Sequence, residues 1–62
     1  MRYKYAVYFS INGEEDSFNV RSAKERDNNL EDMLKREEIQ DIMWCRIYTD
    51  GSYGRRIRVV RE

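Results

Sequence analysis

The feature that most constrains this chain is Asn12-Gly13, set between two stretches of alternating hydrophobicity. Both residues tolerate positive φ, so the pair favours a two-residue type I′ hairpin turn. In YKYAVYFSI, residues 3 to 11, the odd positions Tyr3, Tyr5, Val7, Phe9 and Ile11 are all apolar or aromatic. That period of two marks a strand with one buried face. A two-residue turn then fixes the register: Ile11 opposite Glu14, Phe9 opposite Asp16, Val7 opposite Phe18, Tyr5 opposite Val20. Phe18 and Val20 thereby join the odd residues of the first strand on one face. Turn chemistry and hydrophobic pattern agree independently.

Ser22 opens SAKE, a capping box with Glu25 at its third helical position. The spacing predicts a helix from Ala23 to Glu37 or Glu38. Its apolar stripe is Leu30, Met33 and Leu34, extended backwards by Ala23, with Ile39 at the far end. The stripe is narrow, so the helix covers one sheet face and exposes the rest of itself. Asn28 and Asn29 are weak helix formers within it. Residues 41 to 49, DIMWCRIYT, read as a third strand, and residues 55 to 61, RRIRVVR, as a fourth. A two-residue Asp50-Gly51 turn between them places Trp44 opposite Ile57. A longer loop places Cys45 or Ile47 there, so the direction of Trp44 stays open.

With 62 residues the chain makes one domain, residues 1 to 62. Hairpin, helix, hairpin gives an α+β fold: ββαββ, a four-stranded, mostly antiparallel sheet covered on one face by a single helix. This layout, with a Trp near the start of the third strand, resembles the β-grasp fold. The resemblance implies a topology only, with the first and last strands parallel neighbours in the centre and the second and third at the edges. No binding residue is carried over. The third strand is then a hydrophobic edge, open to pairing with a second copy as a homodimer.

Composition removes several function classes. The single Cys45 excludes an intrachain disulfide, and the absence of His excludes a Cys/His zinc site and any Cys-His or Ser-His catalytic pair. No apolar run approaches the roughly 18 residues of a membrane span, and the first residues lack the form of a signal peptide. The lone cysteine suits a reducing cytoplasm. The size suits an accessory protein of a bacterium, phage or mobile element.

YTDGS, residues 48 to 52, is how the first strand of an RNase H-type nuclease ends. Such a site requires further carboxylates to hold two metal ions, yet Glu62 is the only acidic side chain after Ser52. Asp50-Gly51 reads as a turn. Glu14, Glu15 and Asp16 read as solvated loop charges, with Asp16 placed to blunt a sheet edge. Glu31–Lys35 and Asp32–Arg36 read as ion pairs one helical turn apart. No metal, cofactor or enzymatic site emerges.

Net charge is zero but unevenly spread: residues 23 to 41 carry four basic and seven acidic groups, residues 42 to 62 five basic and two acidic. With Ile57 and Val59 inward, Arg56 and Arg58 point outward, near Lys4, Arg21 and Tyr8 if the last strand lies beside the first. The candidate partner-binding residues are Trp44, Arg46, Tyr48, Arg56, Arg58, Tyr8 and Lys4. Tyr, Trp and Arg are the types enriched at protein interfaces. The leading expectation is a non-enzymatic binding module acting through a protein partner. The alternative is nucleic-acid binding by the Arg-rich C-terminal hairpin and open sheet face.

Overall fold

The computed structural model describes residues 2–61. Four strands and one helix follow in the order β1 (Tyr5–Ile11), β2 (Glu14–Val20), α1 (Ala23–Leu34), β3 (Ile39–Arg46) and β4 (Ile57–Arg58). They form one open, antiparallel sheet in the order β2-β1-β3-β4 with the helix on one face. The ββαββ succession is thus the one read from the sequence.

The first hairpin forms in the expected register, Ile11 opposite Glu14 through Tyr5 opposite Val20. Asn12 and Gly13 take φ of 53° and 83°, as a type I′ turn requires. Ser22 then caps α1 by accepting the Glu25 N–H at 3.1 Å. At about 1.5 Å per residue, 12 helical residues span about 18 Å, enough to return the chain to the Ile11 end of the sheet.

There the strand order departs from the grasp-like expectation. β3 enters directly beside β1, antiparallel, with Ile39 opposite Ile11 and Trp44 opposite Val7. The last strand runs in the same direction as the first but is separated from it by β3. The reason lies in side-chain burial. β3 buries Ile39 and Ile42 on the helix side and Cys45 on the other, so it belongs inside the sheet. Ile57 and Arg58 are exposed, and a short, charged strand suits an edge.

The third strand is therefore not an edge. The edges are β2 and the two-residue β4. Asp16 shields the β2 edge, its carboxylate accepting the Ser17 N–H at 2.8 Å.

β3 also contains a bulge. Between Tyr8 and Ser10 on β1, β3 uses one extra residue, passing from Met43 to Gln40. Asp41 takes up the turn with φ of 52°, a left-handed conformation that Asp tolerates better than most residues. Its carboxylate accepts the Ser10 hydroxyl at 3.0 Å and approaches Arg58 at 3.7 Å. The bulge directs Ile42 inward. Asp41→Val, which cannot relax there, is expected to cost roughly 1–3 kcal/mol in urea unfolding, and Asp41→Asn much less.

The core is Val7, Leu30, Met33, Ile39 and Ile42, with Phe9, Ile11, Phe18, Leu34, Trp44 and Val59 packed around it. α1 ends at Leu34, three to four residues earlier than the spacing suggests, and Ala23 is exposed rather than on the stripe. Arg26, one turn before Leu30, takes that place. Its guanidinium lies over the rings of Tyr5 and Trp44, 4.6 and 4.2 Å from their centroids.

Arg61 closes the far end of the helix. Nε donates to Leu34 O at 3.1 Å, and Nη2 to the carbonyls of Met33, Arg36 and Ile39. Met33 O and Arg36 O also accept backbone N–H groups, so the guanidinium adds a second donor to carbonyls around the helix C-terminus, where a cation suits the helix dipole.

Candidate functional site

The second hairpin shapes the site. Gly51 N donates to Tyr48 O at 2.9 Å and Tyr48 N to Ser52 O at 2.8 Å. With Gly51 at φ of 90°, this is a three-residue loop, Thr49 to Gly51, not a two-residue turn. Ile47 then pairs with Tyr53, yet Trp44 still meets Ile57. One extra residue at Gly54–Arg55 restores that register. Gly54 lets the Tyr48 ring lie close: a Cβ there would be 3.2 Å from Tyr48 Oη, so the ring would have to give by a few tenths of an ångström. The Tyr48 ring rests on that gap.

Asp50 organises the loop. Its carboxylate accepts the Ser52 hydroxyl at 2.6 Å and the Ser52 N–H at 2.9 Å. These bonds, the hydroxyl's first, hold its pKa below the ordinary carboxylate value. Asp50 is thus a turn organiser, in keeping with the reading of YTDGS; Glu62 lies outside the described residues. The sign of the pH effect follows. Folding weakens proton binding at Asp50, so its contribution is present above the ordinary carboxylate range and fades as pH falls through the lowered value. In Ser52→Ala, the Asp50 titration midpoint followed by NMR is expected to move upward.

The seven candidate residues do not share one face. Tyr8, Arg56, Arg58 and Lys4 belong to the open face, with Arg56 stacked 3.9 Å from the Tyr8 ring centroid and Arg58 drawn to Asp41. The Tyr8 hydroxyl meets Cys45 Sγ at 3.6 Å. Burial first, then this contact, raise the Tyr8 pKa, against the lowering effect of Arg56. Trp44 and Arg46 lie on the opposite side: Trp44 packs edge-on against Tyr5, 5.7 Å between centroids, beneath Arg26, and Arg46 pairs with Tyr5. The question of Trp44 is settled: it faces the helix.

Tyr48 belongs to a different assembly. It lines a shallow groove of about 470 Å³ at one end of the sheet, with Arg2, Tyr3, Asn19, Ile47, Tyr53 and the Thr49–Gly51 loop, Asp50 included. Tyr3, Tyr48 and Tyr53 are 45%, 51% and 56% exposed, more than any other aromatic side chain among the described residues. The N-terminal segment is tied to the loop by Arg2, which donates to Thr49 O at 2.9 Å, and by Ile47 N donating to Lys4 O at 2.8 Å. Arg21 lies 5.3 Å from the Tyr3 ring centroid. Sequence reading missed Tyr3 and Tyr53; an aromatic between two glycines in GSYG was the available signal.

A second hollow, about 190 Å³, crosses the open face between Glu15, Ser17 and Arg56 over Tyr8 and Met43. Among the described residues no three His, Cys, Asp or Glu side chains gather closely enough to hold a metal ion.

Charge segregates along the strands. The groove end carries Arg2, Lys4, Arg21, Lys24, Arg26, Arg46 and Arg55 against Glu25, Asp27 and Asp50, a surplus of four positive charges. The opposite end carries Glu14, Glu15, Asp16, Glu31, Asp32, Glu37, Glu38 and Asp41 against Lys35, Arg36, Arg58 and Arg61, a surplus of four negative charges. The molecule is 34 Å long, several times the roughly 10 Å screening length at 0.1 M salt. Each end therefore meets a partner as a separate charged surface.

No protein-family model, curated protein or solved structure matches the chain. Among the described residues no helix is long and apolar enough to cross a membrane.

Proposed function

We propose that the chain is a small, non-enzymatic binding module of the cytoplasm that acts through a protein partner. The contact surface is the groove of Tyr3, Tyr48 and Tyr53. The observation that carries this reading is the exposure of three tyrosines around one groove, Tyr3 among them although Arg21 lies over its ring, while Tyr5, Tyr8 and Trp44 are half-buried beneath arginines. Tyrosine offers a large amphipathic contact area at low entropy cost. The arginines of the C-terminal hairpin are largely engaged within the molecule: Arg56 on Tyr8, Arg58 near Asp41, Arg61 on the helix carbonyls. That weakens the nucleic-acid reading for the hairpin. The groove itself, with Arg2 and Arg21 beside exposed rings, has the ingredients of a base-stacking surface and keeps nucleic acid as the second reading.

The test is a photo-crosslinking amino acid at position 53, irradiated in the native host, with position 28 in the middle of the exposed helix surface as control. The proposal expects a discrete adduct containing a second polypeptide at position 53 only. An adduct removed by nuclease favours the second reading, and equal adducts at both positions refute a groove-directed interaction.

A further inference from the structure

We infer that the groove receives the acidic hairpin tip of a second copy of this chain, so that copies associate end to end. The inference rests on the groove being a protein-binding surface and names its occupant. Three observations carry it.

The first is complementarity within one molecule. The groove end holds Arg2 and Arg21 beside exposed tyrosines; the one carboxylate in its lining, Asp50, is occupied by the Ser52 hydroxyl and N–H. The opposite end projects Glu14 and Glu15 from the Asn12-Gly13 turn, both exposed and without an ion-pair partner among the described residues. Opposite charges on the two ends steer encounter and fix orientation.

The second is that the sheet edges are poor alternatives. β2 carries three acidic residues in its first three positions, one of which, Asp16, covers the Ser17 N–H, and β4 is two residues long.

The third is the absence of net charge. Copies of a chain with zero net charge do not repel one another at long range, so the segregated ends dominate their encounters. The contact joins two different patches, so it is heterologous. Unless the rotation between copies closes a ring, it continues as a chain of molecules.

The test uses the purified chain in sedimentation velocity across a concentration series. At about 20 mM salt the sedimentation coefficient is expected to rise with concentration, and at about 300 mM salt association should weaken at least tenfold as screening shortens. Two neutralised variants then separate the ends. Glu14→Gln with Glu15→Gln leaves the groove intact; Arg2→Gln with Arg21→Gln leaves the tip intact. Each alone should be monomeric, and their equimolar mixture should form a one-to-one pair that grows no further. Dispersed amide spectra of both variants establish that they remain folded.

A wild-type chain that stays monomeric at low salt overturns the inference, as does association unchanged in either variant. A monomeric wild type with a crosslink from position 53 to a different polypeptide removes only the second-copy occupant and leaves the groove reading standing. A crosslink between two copies of the chain, lost in the Glu14→Gln, Glu15→Gln variant, supports both.

Discussion

Ile42→Ala is expected to cost about 2–5 kcal/mol, the usual loss when a buried branched side chain is truncated and its cavity persists. Ile42 is 3% exposed and packs in the cluster of Val7, Leu30, Met33 and Ile39. A domain of 62 residues has only roughly 3–9 kcal/mol of total stability at ordinary per-residue values. One methyl-rich side chain therefore decides whether most molecules are folded. Relaxation cannot easily refill the site, because the bulge at Asp41 fixes where the backbone places residue 42. Urea unfolding followed by circular dichroism should show a large fall in midpoint with an unchanged slope. Ile57→Ala, at a residue 46% exposed, should fall far short of that loss.

Arg61→Ala should be the costliest change outside the core, at about 1.5–3 kcal/mol, the range for hydrogen bonds involving a charged group. One side chain serves carbonyls of Met33, Leu34, Arg36 and Ile39. It joins the last turn of α1 to the segment after β4. Val59, two residues earlier, packs against the core and donates to Ile42 O at 2.9 Å. Losing Arg61 should loosen both. Amide exchange of Lys35, Arg36 and Ile39, which bond into the same turn, should accelerate more than that of the β1–β2 ladder. Arg61→Lys should restore only part of the loss, because an ammonium lacks the planar fork that reaches several carbonyls.

The two hairpins show what a sequence of this kind makes legible. In the first, turn chemistry and the alternation of Tyr5, Val7 and Phe9 against Phe18 and Val20 point independently to one register, and that register forms. In β3 Ile39 and Ile42 are both buried on the helix side although three apart. Strand alternation cannot produce that spacing without the bulge at Asp41, and nothing in DIMW announces a left-handed aspartate. The strand's start at Ile39 is hidden for the same reason.

Strand order was unreadable locally because it turns on which strand buries more surface. A hydrophobic third strand and an arginine-rich fourth favour β3 inside and β4 outside, and this outweighs the grasp-like analogy. That Tyr8 and Arg56 share the open face was legible from alternation, as was Asp50 in a turn; their contact was expected from neighbouring first and last strands, whereas Arg56 reaches the Tyr8 ring across β3. Trp44 was not, because its direction follows from a loop length that Asp50-Gly51 alone does not determine. Arg26 and Arg61 were hidden for a shared reason. A charged residue on an apolar stripe or near the chain end reads as solvated until its aromatic or carbonyl partners are brought to it.

The claim on which the functional account turns is that contact is made at the groove end. Amide-resolved NMR of the isotope-labelled chain, titrated with unlabelled chain and separately with extract of the native host, tests it directly. The account predicts shifts and broadening at Tyr3, Asn19, Arg21 and residues 47 to 53, with the hairpin tip joining them when the partner is a second copy. Perturbation confined to the outer surface of α1, or to Tyr8, Arg56 and Arg58 on the open face with the groove silent, would contradict it.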